Sequence, residues 1–138
     1  MITHRFSDGS CYNGEVDEKN NFTGSGVLYY ESGKVCYSGM WKDNKFHGFG
    51  TLYNQDADVE SRLTTNFDNF NLNENSSWTH FEGEFVEDRK CGYGVVWFSN
   101  GDKFSGSFKH DAANGYGTIY CANRRKINGI WKGNILIT

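Results

Sequence analysis

The sequence predicts an all-β fold, an elongated single-layer antiparallel sheet built from stacked β-hairpins. Three observations support this prediction: glycines recur at fixed distances from an aromatic residue, residues around them alternate in polarity, and aromatic residues are abundant. Aromatics make up 17% of the 138 residues, 17 residues are glycine, and proline is absent. Alternation with period two is the period of a strand, and one hairpin buries its face only by stacking on its neighbours.

A repeated unit accounts for most of the chain, and its clearest copy begins at Tyr37. Glycines follow Tyr37 after two, eleven and thirteen residues, and Phe81 and Phe104 are followed by glycines at the same three distances. The unit that begins at Tyr12 has its glycine pair one residue late, and a partial copy begins at Ile127. We therefore divide the chain into units at about 12–36, 37–54, 81–103, 104–126 and 127–138, with an insertion at 55–79.

This unit resembles the MORN repeat, in which a Tyr-x-Gly-x-Trp/Phe segment is followed by a polar turn, a Gly-x-Gly segment and an aromatic strand. Residues 37–41 and 47–50 match that pattern best, and residues 81–85 and 104–108 match it with phenylalanine at both aromatic positions. Val16 departs from it, because tryptophan or phenylalanine is expected there. The resemblance implies stacked hairpins over the whole chain except about residues 55–79.

Seven aromatic residues stand at the first or fifth position of a unit and therefore share one face of the predicted sheet. Glycines recur beside them, which predicts that the rings lie across bare backbone. A single layer has no second layer to cover these rings, so we expect part of this face to stay open and to bind a helix or an extended segment of a partner. The alternative is that the rings only pack on one another. The predicted partner-binding residues are Tyr37, Trp41, Phe81, Phe85, Phe104, Phe108 and Trp131.

Two segments depart from the repeat. The insertion at 55–79 lacks glycine and holds most of the net negative charge, and we interpret it either as a solvated loop or as an arm that contacts a partner. The apolar residues 135–137 would form an edge strand without charge protection, which predicts that a partner covers them or that they fold back.

Charge and composition exclude several functional classes. The net charge of −3 divides into −4 within residues 54–80 and +1 elsewhere, so no basic field suited to nucleic acid exists. The chain has no apolar run near 20 residues and no apolar segment after Met1 that is typical of a signal peptide. The four cysteines lack CxxC spacing, and a reducing cytosol is the simplest setting for them.

No catalytic or metal site is predicted. The four histidines are scattered, the Gly-x-Gly segments lack the features of a phosphate loop, and Cys91 with His80 does not complete a zinc ligand set. We therefore expect neither enzymatic activity nor a cofactor.

The resemblance implies two functions. Because the MORN family is widely found in cytoskeletal, ciliary and flagellar scaffolds, the first hypothesis is a structural or protein-interaction subunit of such an assembly in the cytoplasm. The second is a phospholipid-binding module at a membrane surface. Lys42, Lys109 and Lys132 share one repeat position and could form a stripe, but Val86 and Asp17 interrupt it, and three lysines fall short of the usual polybasic cluster.

Overall fold

The computed structural model describes residues 1–55 and 78–138, which contain strands and turns and no helix. The prediction of an all-β, single-layer fold is confirmed, because the strands form one open antiparallel sheet in which each strand pairs with the next along the chain. At about 4.8 Å between neighbouring strands the sheet is roughly 50 Å long. The eleven strands are β1 (Ile2–Arg5), β2 (Cys11–Val16), β3 (Phe22–Tyr29), β4 (Val35–Lys42), β5 (Lys45–Tyr53), β6 (Trp78–Val86), β7 (Arg89–Phe98), β8 (Lys103–Lys109), β9 (Ala112–Tyr120), β10 (Lys126–Lys132) and β11 (Ile135–Leu136).

Two-residue turns close the hairpins at one edge of the array. Asp43 and Asn44, which join β4 to β5, both have positive φ angles of 50° and 68°. Such turns match the right-handed twist of the flanking strands, and asparagine and aspartate tolerate these angles better than most residues. The turns Glu87-Asp88 and His110-Asp111 have the same geometry.

The second residue of each such turn also binds the preceding unit, a contact that the sequence analysis missed. Asn44 accepts a hydrogen bond from the backbone N–H of Phe22 at 2.7 Å and donates its own N–H to the Phe22 carbonyl at 3.1 Å. Asp88 makes the same pair of bonds to Phe46 at 2.8 and 3.0 Å. Short polar side chains therefore join successive hairpins as well as allowing the turns. The same pair of hydrogen bonds, which we call the clamp, recurs between Asp111 and Lys90 and between Asn134 and Ala113.

β5 and β6, which flank the insertion in sequence, meet as two units do at an ordinary connection. In the uninterrupted connection the N–H of Tyr30 donates to the Lys34 carbonyl at 2.8 Å, and here the N–H of Asn54 donates to the Thr79 carbonyl at 2.9 Å. β5 and β6 then pair without a register shift, from Tyr53 opposite His80 onward. The sheet therefore continues across the interruption. Residues 56–77, and with them the predicted partner-contacting arm, lie outside the described residues.

The glycines serve two different purposes. The first glycine of each Gly-x-Gly segment, such as Gly48, lies at a bulge, where the second strand of the hairpin contains extra residues. Its φ angle of 94° is in the left-handed region, which favours glycine. The second glycine lies under an aromatic ring. A Cβ atom placed on Gly50 would stand 2.2 Å from the Tyr37 hydroxyl oxygen. The predicted placement of rings across bare backbone is therefore confirmed.

Alanine at Gly94 tests this arrangement, because its Cβ would stand 2.4 Å from two carbon atoms of the Phe81 ring. We expect Gly94→Ala to lower the free energy of unfolding by about 1–3 kcal/mol, the usual cost of overpacking. Urea unfolding measures this loss. Phe81→Leu should relieve the clash, so the double variant should lose less stability than the sum of the two single variants. If the stability losses of the two single variants add up to that of the double variant, the Phe81 ring does not lie over Gly94.

The C-terminal residues fold back onto the sheet, one of the two outcomes that the sequence predicted for them. The N–H of Ile130 donates to the Thr138 carbonyl at 2.9 Å, and the N–H of Ile137 donates to the Ile130 carbonyl at 2.8 Å. Leu136 covers Gly129, where an added Cβ would stand 2.3 Å from the leucine Cδ1. Leu136 thus fills a glycine position that aromatic rings cover in the other units.

Candidate interaction surface

The seven predicted aromatic residues and Tyr12 form one continuous series of edge-to-face contacts, which we call the ring ladder. A ring at the first position of a unit contacts the fifth-position ring of its own unit and that of the next unit, except that Tyr12, whose own unit has Val16 there, contacts only the ring of the next unit. Ring centroids of neighbours are 5.0 to 5.6 Å apart, within the range that aromatic pairs favour. In order, the contacts are Tyr12–Trp41, Trp41–Tyr37, Tyr37–Phe85, Phe85–Phe81, Phe81–Phe108, Phe108–Phe104 and Phe104–Trp131.

The expectation that this face stays open is wrong. All eight rings of the ladder are buried, and none is more than 6% exposed. The rings cover one another across unit boundaries. Two further rings, at the starts of β3 and β5 beside the hairpin turns, also cover them: Phe22 stacks on Tyr12 with ring centroids 3.7 Å apart, and Phe46 stacks on Tyr37 with centroids 3.9 Å apart. Binding of a partner by the seven residues stays a prediction, but their burial leaves little ring surface that a partner could contact.

Polar atoms of the ladder are satisfied within the sheet. The Tyr37 hydroxyl donates to the Met40 carbonyl at 2.8 Å, and the indole N–H groups of Trp41 and Trp131 donate to the carbonyls of Gly26 and Gly117 at 3.0 and 3.2 Å. Burial raises the pKa of Tyr37 to about 12. The face that carries the ladder, which we call the inner face, is therefore the core of the protein.

The raised pKa of Tyr37 predicts a loss of stability in alkali. The folded chain holds this proton more tightly than the unfolded chain, whose pKa is near 10.0, so the contribution is complete below pH 10 and disappears as the pH rises towards about 12. Urea unfolding at several pH values between 9 and 12 measures this loss. Tyr37→Phe, which has no proton to lose, should show a flatter dependence. Identical pH profiles for the two proteins would contradict the prediction.

The opposite, outer face exposes a row of aromatic residues. Phe49, Tyr93 and Tyr116 each stand between the two glycines of a pair and are 58%, 60% and 79% exposed. They occupy alternate strands β5, β7 and β9, so neighbouring members are about 9.6 Å apart. We call this row the outer ridge. Large apolar side chains aligned on an open sheet face are typical of an interaction surface.

A second outer row lies nearer the connections between units. His80 stacks between Tyr53 and Trp97, with ring centroids 5.8 and 4.3 Å apart, and burial lowers the pKa of this histidine. The ammonium group of Lys103 lies 4.9 Å from the ring centroid of Tyr120. These side chains contact one another and so form a partly covered layer, whereas the residues of the outer ridge project further into solvent.

Cations line the hairpin edge of the outer face. The members are all exposed, and Lys42 stands directly opposite Lys45 in the strand ladder, a like-charge pairing that destabilises an isolated sheet. Lys90 forms an ion pair with Asp111, 3.6 Å apart, whereas within the described parts of the chain no ion pair is found for the members of this row. We call it the basic rim, and it comprises Lys42, Lys45, Arg89, Lys109 and Lys132.

An open groove of about 450 Å³ lies along the basic rim. Three rim cations, Lys45, Arg89 and Lys109, line it together with Val86, Glu87, Cys91 and His110. The stripe proposed from Lys42, Lys109 and Lys132 is therefore part of a longer row, because Lys45 and Arg89 enter it from the neighbouring strands. Val86 interrupts the row of charges and gives the groove an apolar patch.

The described residues contain no group of three or more histidine, cysteine or acidic side chains that could hold a metal ion. No disulfide joins any of the four cysteines, all of which lie within the described residues. Residues 1–55 and 78–138 also include no helix with the length and apolarity needed to cross a membrane.

Sequence reasoning missed the outer ridge and two of the five residues of the basic rim. The signal was present, because Phe49, Tyr93 and Tyr116 alternate with the glycines and therefore point away from the anchor residues. The sequence-based prediction of a binding surface rested on the opposite face, which holds more aromatic residues. Lys45 and Arg89 lie on the second strands of their hairpins. Comparison of equivalent repeat positions alone therefore could not reveal that they lie in the same row as Lys42 and Lys109.

The family model for the MORN repeat matches the chain at residues 12–35, 37–59, 81–103 and 104–124. The four matches begin at the anchor residues and together cover about two thirds of the chain. MORN repeats are known in modules that bind proteins and in modules that bind membranes. No curated protein matches the chain.

Proposed function

Because the chain belongs to the MORN-repeat family, we propose that it is a non-catalytic protein-interaction subunit of a larger assembly. The single observation that best supports this proposal is the outer ridge, in which Phe49, Tyr93 and Tyr116 remain 58–79% exposed on a sheet whose other face is packed. Exposed tyrosine and phenylalanine bury a large area with few rotatable bonds, which makes them effective interface anchors.

The ring ladder supports the same role indirectly. It fixes the spacing of successive units, because each unit contacts the next through edge-to-face ring pairs such as Tyr37–Phe85 at 5.3 Å. Side chains on the outer face are therefore presented at regular intervals along a sheet about 50 Å long. Such a rigid, regular surface suits a scaffold better than it suits a small-molecule site.

The finer part of the proposal is a cytoplasmic, cytoskeletal assembly, such as that of a cilium or flagellum. It rests on the known distribution of the family. The location is tested by imaging a fluorescently tagged chain in the source cells, where staining of the axoneme or of another cytoskeletal structure is the expected result. Uniform staining or staining of a membrane compartment would contradict this part alone.

The proposal is tested by affinity purification from an extract of the source cells, with the intact chain as bait. A matched bait carries Phe49→Ser, Tyr93→Ser and Tyr116→Ser, which should fold normally because all three residues are exposed. We expect defined proteins to be recovered in near-stoichiometric amounts with the unmodified bait and to be depleted with the variant. Absence of any stoichiometric protein from both baits would contradict the proposal.

The basic rim favours a second candidate, a phospholipid-binding membrane-surface module. Five exposed cations without an ion pair among the described residues could attract anionic headgroups at about 1 kcal/mol each. Sedimentation with vesicles that contain anionic lipid tests this candidate. Binding to such vesicles that disappears when Lys42, Lys45 and Arg89 are changed to glutamate, together with no recovered protein partner, would favour it.

A further inference from the structure

We propose that the outer face binds a proline-rich segment in the polyproline II conformation, laid across the strands with a basic residue beside Glu82 and Glu84. This inference rests on the proposed function and specifies the chemistry of its partner. It differs from the expectation drawn from the sequence, which placed a partner on the inner face that the ring ladder fills.

Two aromatic rows bound the surface, which we call the outer trough. One is the outer ridge, and the other passes through Tyr53, Trp97 and Tyr120. From Phe49 to Tyr53 the pairing of β5 with β6 has no register shift, so these two residues, four positions apart, are separated by about 13 Å. The same unshifted separation holds on β7 and β9, between Tyr93 and Trp97 and between Tyr116 and Tyr120.

Hydroxyl and amide side chains form most of the floor of the outer trough. Direct pairing across the strands aligns one residue from each strand into a row midway between the two aromatic rows. Val95 is the one apolar member of this row, and the Tyr93 hydroxyl is hydrogen-bonded to the hydroxyl of Ser105, which ties the ridge to the floor. The row comprises Ser38, Thr51, Glu82, Val95, Ser105, Thr118 and Asn128.

A polar floor favours a polyproline II ligand over a helix. A polyproline II segment has no internal hydrogen bonds, so its carbonyl groups can accept hydrogen bonds from floor hydroxyls such as that of Thr51. The backbone groups of an α-helix are already paired with one another, and the apolar stripe of a helix would bury the floor hydroxyls without partners. The chemistry of the floor therefore selects a ligand whose backbone still needs hydrogen bonds.

The spacing of the aromatic rows agrees with this choice. Rings on β5, β7 and β9 recur about every 9.6 Å, and one polyproline II turn of three residues rises about 9.3 Å. Over two intervals the mismatch is about 0.6 Å, whereas 14 residues of an α-helix would exceed the distance by about 1.8 Å. A β-strand repeats every two residues, or about 6.7 Å, and does not fit. Grooves lined by aromatic residues are the usual receptors for proline-rich segments.

Negative charge at one end of the outer trough indicates where the basic residue lies. Glu82 and Glu84 are exposed two residues apart on β6, and within residues 1–55 and 78–138 no ion pair is found for either. The Glu84 carboxylate accepts the N–H of Tyr93 at 3.2 Å, which holds it beside the ridge. A lysine or arginine of the ligand would be attracted to this pair of carboxylates.

Positive charge marks the other end of the outer trough. The ammonium groups of Lys103 and Lys126 lie 4.9 and 6.0 Å from the ring centroid of Tyr120. They would repel the basic residue of the ligand and so favour its placement at β6. An anionic membrane carries charge of one sign, so its headgroups would meet the carboxylates of Glu82 and Glu84 unfavourably.

The test uses the intact chain and two designed peptides of four Pro-Leu-Pro repeats, one with arginine at its N-terminus and one with arginine at its C-terminus. Three controls replace arginine by glutamate, cluster the leucines so that they no longer recur every third residue, or form a helix with leucine every seven residues. We expect one arginine peptide to bind saturably in fluorescence anisotropy and every control to bind about tenfold more weakly or worse. Failure of both arginine peptides to bind, or equal binding of the helical peptide, would overturn the inference.

Charge-reversal variants locate the site. Glu82→Lys with Glu84→Lys should weaken binding of the arginine peptide about tenfold and strengthen binding of the glutamate peptide. Glu18→Lys with Glu31→Lys changes the net charge equally at exposed turn positions outside the outer trough and should leave both affinities unchanged. Equal weakening by the two pairs would overturn the assigned site.

Tyr116→Ser provides a second test that leaves the carboxylates in place. Tyr116 is 79% exposed, so the variant should fold normally, and loss of a ridge ring should weaken binding of the arginine peptide about tenfold. Unchanged affinity would contradict the role of the ridge. Binding of anionic vesicles by the unmodified chain, with no binding of either arginine peptide, would indicate a membrane surface and overturn the inference.

The failure of this inference can be distinguished from failure of the proposed function. If the protein partners recovered from the extract are retained by the Glu82→Lys and Glu84→Lys variant, the inference fails and the chain is an interaction subunit whose partner binds elsewhere. If no partner is recovered by the unmodified chain, the proposed function itself fails.

Discussion

Replacing Phe85 by serine should unfold the sheet rather than merely weaken a binding surface. Phe85 is 1% exposed and contacts the rings of Tyr37, Phe46 and Phe81 at centroid distances of 5.2 to 5.7 Å. Removing a buried phenylalanine ring costs about 3–5 kcal/mol, and the serine hydroxyl adds a polar group without an evident partner. Because small domains are stable by only about 5–15 kcal/mol, we expect a large loss of folded protein.

Urea unfolding and thermal melting measure this effect, with Val86→Ser as the matched control. Val86 is the next residue on the same strand, points to the outer face and is 47% exposed, so its replacement should change stability little. A Phe85→Ser protein that melts like the control but no longer recovers its partners would restore the sequence-based prediction of an open, partner-binding inner face.

Replacing Trp41 by alanine should have the second large effect, again about 3–5 kcal/mol. Trp41 joins two units, since its ring lies 5.0 Å from Tyr12 in the preceding unit and 5.3 Å from Tyr37 in its own. The variant also leaves the Gly26 carbonyl without the indole N–H that donates to it at 3.0 Å. The expected loss therefore includes both the aromatic contacts and a buried hydrogen bond.

Lys42→Ala is the control for Trp41→Ala, because Lys42 is adjacent but exposed on the outer face. It should change stability within about 0.5 kcal/mol, or raise it slightly by relieving the repulsion with Lys45. Equal melting shifts for the two variants would contradict the assignment of faces. A helix signal above about one fifth in far-UV circular dichroism would contradict the fold itself.

The fold could be predicted because its determinants are local in sequence. Alternation around Tyr37 identifies a strand and its face, and the glycines at fixed distances identify equivalent positions in successive hairpins. The stacking order follows, because each hairpin must cover its face with the next one along the chain. These inferences need no knowledge of three-dimensional distances.

The extent of burial could not be predicted in the same way. Whether a ring on a single layer is open depends on how far its neighbours reach, and the contact of Tyr37 with Phe85 spans 48 positions in sequence across the insertion. The clamp from Asp88 to Phe46 depends equally on distances between units. The outer ridge could have been predicted from the alternation of side chains. Its importance as an interaction surface becomes clear only once the rings of the inner face are found to be buried.

The unbroken pairing of β5 with β6 has a consequence for how the polypeptide can be assembled. Residues 1–55 and 78–138 meet through a regular strand ladder, the Tyr37–Phe85 ring contact and the Asp88 clamp, none of which requires a covalent link between them. A chain cut within residues 56–77 should therefore remain associated, and two separately expressed fragments should reconstitute the sheet. The interruption would then serve as a permissive junction, where a reporter or a folded domain could be placed without altering either half.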